Sequence, residues 1–458
     1  MRFCFTPLLA LLLAGVTHAA TIHVDAAHTG CPGSGTPSDP FCTVQAAIDA
    51  AVSGDTILVA PGTYIENLSI QAKSLTIRST GGPESTVIDG NRVFTTVQFA
   101  AGANSRLEGF TITGGGATIG GGIYCLISSP VIVGNTITGN VGAFGGGIYV
   151  SPGSAPQIES NTISTNNSAY GGGIDCRGAA TILGNVVFDN FSSQGGGFHI
   201  GGESPVLVNN TVTDNVASSS YGAALHVSAG TPLLVNDILW GNGFGSEVVV
   251  TSGAATIAYC DVRGGYAGSG NFDADPLFID APSRDYRLTC GSPCRDTGAS
   301  PGIPLPAFDH SGSDLRSIGP LDVGADEVGI FWSLIGAPVA GGPPVHFELR
   351  GADSHPAPAL AEVLSSLGDG SSSGGLLVPG SGGRRIGLDS SPLLSTWLGL
   401  PPVLRQAGPI QCSGATTFPI SIPASAPIGL TVYAAGLSWD LSSGNVVSLS
   451  ETESIVLQ

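Results

Sequence analysis

Side chains that can stack on a sugar ring or transfer a proton recur at matching positions of a repeated segment in this chain. The set is Tyr124, Tyr149, Asp175, His199 and His226, here called the outer column. Tyrosine presents a flat apolar ring, whereas carboxylates and imidazoles hold or transfer protons. Arg177 follows two residues after Asp175 and adds a positive charge. These residue types favour ligand binding, with Asp175, Arg177 and His199 as the set for an alternative acid–base chemistry.

Two other interpretations of the outer column stay open. The plainer one is a solvated surface, on which tyrosine is present because it favours strands and histidine has no role. The other is a zinc site, since Asp175, His199 and His226 are of the right ligand types. A flat ladder of strands makes convergence on one ion awkward, so we expect no resident metal here.

Asp189 and Asp214 form a second candidate pair, each directly before a recurring asparagine. Two carboxylates one repeat apart have the separation of a retaining glycosidase pair, and they also suit Ca²⁺. The alternative is a pair of hydrated aspartates at a turn. We expect no cofactor, and consider Ca²⁺ only for a lyase-like site.

All these residues lie in a repeat with a period near 25 residues. The segment Gly-Gly-Gly-Ile-Tyr at 120–124 returns, unchanged or lightly altered, at 145–149, 171–175, 195–199 and 222–226. Each repeat holds three short stretches in which apolar residues alternate with others, as in β-strands. Such a repeat buries its apolar face only by stacking on its neighbours, so the pattern predicts a solenoid built of strands.

Aligning the repeats gives three apolar columns, one for each strand. They are Ile123, Ile148, Ile174, Phe198 and Leu225; Ile132, Ile158, Ile182, Leu207 and Leu234; and Ile137, Ile163, Val187, Val212 and Ile238. Two asparagine columns run beside them, Asn135, Asn161, Asn185, Asn210 and Asn236, and Asn140, Asn166, Asn190, Asn215 and Asn242. We expect the asparagines at corners, where they tolerate left-handed backbone. Because side chains alternate along a strand, the outer column should point away from the interior.

This pattern resembles the right-handed parallel β-helix repeats of the pectin-lyase-like superfamily. The glycine-rich and asparagine motifs also resemble the repeats of polymorphic outer-membrane proteins. Segments before and after the repeats are similar to those of bacterial secreted β-helix proteins: 22–25, 45–52, 54–64, 275–278, 285–288, 291–298 and 322–325. Over residues 21–328 the resemblance implies an all-β, right-handed parallel β-helix with three strands in each turn. It implies no single activity, because the superfamily contains lyases, hydrolases, tailspikes and adhesins.

The ends of the chain differ from the repeats. The predicted organisation is a signal peptide (1–20, cleaved near 19–20), an N-terminal cap and first turn (21–64), the β-helix (65–270), an exit segment that caps its end (271–329) and a small β-sandwich-like domain (330–458). The N-terminal cap contains a short amphipathic helix within 42–52. No later segment is apolar enough to span a membrane, so we expect a secreted or cell-surface protein.

The net charge limits which partners the chain can bind, and the cysteines indicate how they pair in an exported protein. The formal charge of −19 argues against nucleic acid and anionic membranes, and disfavours unaided binding of polyanions. In an exported chain we expect disulfides, with Cys31–Cys42 and Cys290–Cys294 as candidates. Cys125 and Cys176 share an inward column two turns apart, roughly 9.6 Å, which is too far for a disulfide. They should be buried free thiols.

The leading functional hypothesis is a secreted bacterial β-helix protein with a binding or structural role toward polysaccharide or a cell-envelope glycan. Its binding residues would be the outer column together with Arg177. The alternative is a polysaccharide lyase or glycosidase centred on Asp175, Arg177 and His199. The sequence lacks the motifs of the polygalacturonase group, which favours the non-enzymatic hypothesis. The oligomeric state stays open.

Overall fold

The computed structural model describes residues 19–327 except 244, 290, 307–308 and 312–320, together with separate short strands beyond residue 330. Residues 1–18 of the predicted signal peptide lie outside this range. The described chain is a right-handed parallel β-solenoid of about 8 turns, as predicted.

Each turn contributes strands to three parallel sheets. The first sheet contains Thr21–Val24, Thr56–Val59, Thr76–Ser79, Arg106–Glu108, Val131–Val133, Gln157–Glu159, Thr181–Leu183, Val206–Val208, Leu233–Val235 and Thr256–Ala258. The second contains Leu68–Gln71, Val97–Ala100, Ile123–Leu126, Ile148–Val150, Ile174–Cys176, Phe198–Gly201, Leu225–Ala229 and Val248–Val250. The third contains Gly62–Ile65, Thr86–Asp89, Thr111–Thr113, Thr136–Thr138, Thr162–Ser164, Val186–Phe188, Thr211–Thr213, Ile238–Trp240 and Asp261–Val262.

The predicted apolar columns form the solenoid core, with one correction. Strand pairing joins Ile123, Ile148, Ile174, Phe198 and Leu225 in register, and all five are fully buried. In the third sheet, however, Val212 pairs with Leu239 and not with Ile238. At this turn the residue in register lies one position later in the chain than predicted, a shift that the repeat alignment did not reveal.

The asparagine columns are buried amide ladders. After the first member of each ladder, each side-chain oxygen accepts the backbone N–H of the previous ladder asparagine. Each side-chain nitrogen donates to the next ladder residue, as Asn185 does to Asn210 at 3.0 Å. The expectation of left-handed asparagines is wrong for the predicted positions other than Asn236. At the other positions the residue before the asparagine adopts the positive φ instead, such as Ser160 (48°) and Asp189 (53°). The ladder residue itself is thereby free to point its amide inward.

Both ladders end in a carboxylate. Asp237, not Asn236, accepts from the backbone and side-chain nitrogens of Asn210, each at 2.8 Å. Asn236 instead takes the left-handed position, with φ of 59°. In the second ladder Glu247 accepts from Asn242. Burial raises the pKa of both Asp237 and Glu247 to about 7.

The glycine triplets precede the strands of the second sheet and stack turn on turn. Gly145 has φ of 63°, which glycine adopts at little cost. A Cβ on Gly146 would lie 2.6 Å from the carbonyl oxygen of Gly172 on the next turn. The triplets therefore permit a backbone approach that a side chain would block.

A short helix, Val44–Ala50, covers the first turns, as predicted. Thr43 caps its N-terminus, and Glu66 accepts the N–H groups of Val44 and Gln45. Val44, Ala47 and Ile48 are buried against the core. The predicted Cys31–Cys42 disulfide is present, and Cys125 and Cys176 are buried free thiols, as predicted.

The exit segment packs along the outside of the solenoid turns. Its antiparallel strands Phe278–Asp280 and Asp285–Leu288 flank a 3-10 helix, Ala281–Ser283. Asn209 donates to the carbonyl oxygens of Asp322 and Gly324, which ties this segment to a turn. Cys290 lies outside the described residues, and the thiol of Cys294 donates to Asp261 at 3.3 Å.

Beyond residue 330 the described strands form small, mostly antiparallel sheets. They are Phe331–Ile335, Val345–Arg350, Leu376–Leu377, Arg385–Ile386, Thr416–Ile420, Thr431–Ala434, Leu437–Asp440 and Ser454–Val456. The remainder of the predicted sandwich-like domain, 330–458, lies outside the described residues.

Candidate functional site

The outer column lies on the second sheet, and its side chains point away from the core, as predicted. Parallel pairing sets Tyr124, Tyr149, Asp175, His199 and His226 side by side on successive turns. The flanking residues of each strand, such as Ile174 and Cys176, point inward and are fully buried. The alternation of the strands therefore separates the polar column from the apolar one.

Most of this column is nevertheless not a solvated surface. Asp175, His199 and His226 are at most 2% exposed, and Tyr149 is 8% exposed. A further small parallel sheet, here called the cover sheet, is formed by Asn167–Tyr170, Phe191–Gln194 and Val216–Ala217. The Tyr170 ring lies 5.2 Å from that of His199. The interpretation of the column as a solvated surface is therefore wrong for these four residues.

Asp175 is the centre of a hydrogen-bonded chain of side chains. Its Oδ1 lies 2.7 Å from Nδ1 of His199, while its Oδ2 accepts from Nη2 and Nε of Arg177 at 3.1 and 3.3 Å. Nε2 of His199 lies 2.9 Å from Oγ of Ser228. Both carboxylate oxygens of the fully buried Asp175 thus have hydrogen-bonding partners, which fix the orientation of the side chain.

His226 is the next residue of the outer column, but its hydrogen bond is separate from the chain centred on Asp175. Its Nε2 lies 3.0 Å from Oγ1 of Thr251, and its ring packs 5.2 Å from that of His199. Its Nδ1 is buried without a hydrogen-bond partner among the described residues. Burial, reinforced by the neighbouring His199, lowers the pKa of His226 to about 4, so its imidazole is neutral at physiological pH.

The column opens to solvent at its N-terminal end. Gln98 pairs in register with Tyr124, and both are partly exposed. The Tyr124 ring meets that of Tyr149 edge-on at 5.4 Å. The guanidinium carbon of Arg177 lies 4.7 Å from the centre of the Phe144 ring and 5.6 Å from that of Tyr149. Aromatic faces and hydrogen-bonding groups thus meet at the edge of the covered region.

The Asp189–Asp214 pair is occupied by an arginine. Nε of Arg284 lies 2.7 Å from Asp189 and its Nη1 lies 3.5 Å from Asp214. The hydroxyl of Tyr286 also donates to Asp214 at 2.8 Å. The structure therefore does not support these aspartates as a Ca²⁺ or glycosidase pair, because a guanidinium from the exit segment neutralises them. Among the described residues no cluster of three or more His, Cys, Asp or Glu side chains has a metal-binding arrangement.

The sequence hypothesis missed Ser228 and the cover. Ile200 pairs with Val227 but Gly201 pairs with Ala229, so Ser228 is the extra residue of a β-bulge. Bulges redirect side chains and interrupt a simple repeat alignment. No difference in repeat length marked the bulge, because the longest step between the recurring glycine segments, from 195 to 222, ends before Ser228.

Comparison with known proteins agrees with the fold. A family model described as right handed beta helix region matches residues 55–211. This part of the chain is similar to that family. The predicted resemblance to right-handed parallel β-helix proteins is thereby confirmed. No curated protein matches the chain. Within the described residues, no helix has the length and apolar character needed to cross a membrane.

Solved structures similar to the chain include three polysaccharide-processing proteins. Pectate lyase Pel9A has 16% identity and a TM-score of 0.44, covering 68% of this chain and 97% of its own. Pectin methylesterase from carrot has 13% identity and a TM-score of 0.38, covering 58% and 97%. A rhamnogalacturonan lyase has 15% identity and a TM-score of 0.33, covering 53% and 68%. Likeness at this level carries no statement about activity.

Proposed function

We propose that this is an exported β-helix protein that binds a neutral polysaccharide at the open end of the outer column. The observation that carries the proposal is the Tyr124 ring, which is partly exposed, positioned by Tyr149 and adjacent to the amide of Gln98. A ring of this kind stacks on a sugar face, and an amide donates to and accepts from hydroxyl groups. Because these groups stand on paired strands, little ordering is required on binding.

Charge favours a neutral ligand. The guanidinium of Arg177 lies 5.6 Å from the centre of the Tyr149 ring, but two of its N–H groups are bound to buried Asp175. The chain carries a net charge of −19, so a polyuronate would meet general repulsion. The lyase alternative needs a basic group free to act on the substrate, whereas the guanidinium of Arg177 is bound to Asp175.

Export is supported by two features. The first residues have the composition of a signal peptide, with Arg2 before an apolar run. The Cys31–Cys42 disulfide suits an oxidising compartment. A chain of this kind would meet its glycan outside the cytoplasm.

The test is calorimetric titration of the mature protein with hexasaccharides of cellulose, xylan, mannan and chitin. For any glycan that binds, Tyr124→Ala should weaken affinity by roughly 1–3 kcal/mol, the range for losing a well-placed aromatic anchor. Tyr259→Ala is the matched control, since Tyr259 is 37% exposed but lies on another face. Failure of all four glycans to bind, or equal affinity in Tyr124→Ala and the wild type, would refute the proposed site.

A further inference from the structure

The side chains of a serine, a histidine and an aspartate from three successive turns form one hydrogen-bonded chain on the second sheet. We propose that Ser228, His199 and Asp175 form a nucleophile–base–carboxylate triad that hydrolyses small carboxylic esters, such as acetyl esters. The geometry is Ser228 Oγ to His199 Nε2 at 2.9 Å and His199 Nδ1 to Asp175 Oδ1 at 2.7 Å. This order of groups defines an activated serine whatever the fold that carries it.

The hydrogen-bond network assigns the protons. Asp175 accepts from both Nη2 and Nε of Arg177 through Oδ2, and its Oδ1 faces Nδ1 of His199 at 2.7 Å, so we assign Nδ1 as the donor to the carboxylate. With Nδ1 of His199 donating to this carboxylate, Nε2 is the acceptor for the Ser228 hydroxyl at 2.9 Å, and the carbonyl oxygen of Ile200, at 3.4 Å, is the more distant alternative acceptor. This is the tautomer that a general base requires.

The backbone is shaped to bring Ser228 to the imidazole. The β-bulge leaves Ser228 without a partner in the preceding strand, which has Gly201 opposite Ala229. A Cβ on Gly201 would lie only 2.9 Å from Cε1 of His199. The missing side chain gives the imidazole room beside the bulge. Ser228 itself is partly exposed, whereas His199 is buried, so a substrate can reach the nucleophile but not displace the base.

The surroundings of His199 hold its ring in place. Tyr170 and His226 pack on it, each at 5.2 Å between ring centres. Arg177 occupies the Asp175 oxygen that His199 does not use, and acts as a positioning residue. Because these contacts already hold the imidazole in one orientation, little conformational entropy is lost when the transition state forms.

The reaction proceeds through an acyl-enzyme. Ser228 Oγ forms a bond to the ester carbonyl carbon while its proton passes to Nε2 of His199. The bond between that carbon and the alcohol oxygen then breaks, and His199 returns the proton to the departing alcohol. Water attacks the acyl-serine by the same route, which releases the carboxylic acid and restores Ser228. Asp175 stabilises the imidazolium formed in each half.

The experiment measures hydrolysis of 4-nitrophenyl acetate by the full mature chain. The wild type should exceed the buffer rate, and Ser228→Ala and His199→Gln should each lower kcat by more than about 10²-fold. Asp175→Asn should lower kcat with little change in KM, since Asp175 positions the base and does not contact substrate. Ser252→Ala is the matched control, because Ser252 is exposed on a neighbouring turn.

Circular dichroism and the melting temperature should show that Ser228→Ala is folded. Wild-type hydrolysis at the buffer rate, or equal rates in the wild type and Ser228→Ala, would overturn the triad. If Asp175→Asn does not fold, Gly201→Ala tests the same positioning, because its methyl group would displace the His199 ring and lower kcat. The triad does not depend on glycan binding: the ester assay contains no glycan, and Tyr124→Ala leaves the three groups intact.

Discussion

The amide ladders and the outer column both run along the solenoid axis, but they are built in opposite ways. In the ladders, asparagine recurs at every turn with the same bonds, and only the ends change, to Asp237 and Glu247. In the outer column the residue type changes along the axis, from tyrosine to aspartate to histidine. A residue type that recurs at every turn meets a structural requirement that all turns share. A residue type that occurs at one turn only indicates a role specific to that turn.

The fold requires the ladders, since backbone groups inside a solenoid turn need partners. It does not require a Ser228–His199–Asp175 chain, because other turns fill the same outward position with tyrosine. Stability should therefore be most sensitive in the ladders, and function in the outer column.

The largest effect should follow from Asn185→Ala. Asn185 accepts the backbone and side-chain N–H of Asn161 at 2.9 and 3.0 Å, and donates to the carbonyl of Ile158. Truncation leaves several buried groups without partners, so we expect a loss of about 3 kcal/mol or more in the free energy of unfolding. Chemical denaturation measures it.

Asn167→Ala is the control for this ladder variant. Its side chain is exposed on the cover sheet, so the change should stay within about 0.5 kcal/mol. Equal losses in the two variants would mean that the ladder contributes no more than a surface asparagine.

The carboxyl groups at the ends of the ladders should have a smaller effect on the free energy of unfolding and should make it depend on pH. Burial raises the pKa of Asp237 and Glu247 to about 7, above the 3.8 and 4.5 of free carboxyl groups. The folded state therefore retains protons that the unfolded chain releases, so these groups lower the free energy of unfolding as pH rises from about 4 to about 7. The stabilisation that the protonated carboxyl groups provide is fully present below about pH 4 and is lost as pH rises through about 7.

Asp237→Asn should reduce this slope and raise stability at pH 7 by about 1–3 kcal/mol, the cost of an unsatisfied buried polar group. Oδ2 of Asp237 has no partner among the described residues, while the ladder asparagines direct a nitrogen to backbone carbonyls. Glu84→Gln, an exposed control, should leave the slope unchanged. The prediction fails if the denaturation slope of Asp237→Asn between pH 4 and 7 matches that of the wild type.

Much of the solenoid was predictable because its repeats are local and uniform. Aligned glycine triplets and isoleucines located the core columns, and the two-turn separation of Cys125 and Cys176 predicted free thiols. The offset that puts Leu239 and Asp237 in register was missed, since an Asn-Asp pair offers two alignments and only strand pairing decides between them.

The candidate site was predictable only in part. Alternation placed Asp175 and His199 on one face, as pairing confirms. It gave no sign of the cover sheet, which depends on contacts between turns. Ser228 was hidden because the bulge moves it out of alignment, and Arg284 because it comes from a distant segment to reach Asp189. Contacts between separate parts of the chain leave little trace in a repeat pattern.

The most direct measurement on the outer column is the reaction of the folded protein with an alkyl fluorophosphonate, read by peptide mass mapping. An activated serine forms an O–P bond and releases fluoride, whereas ordinary serines do not react at a comparable rate. We expect one adduct, on Ser228, which is lost in His199→Gln while the fold is retained. An unmodified Ser228, or equal labelling of Ser228 in the wild type and His199→Gln, would show that the hydrogen-bonded chain beneath the cover sheet serves structure alone.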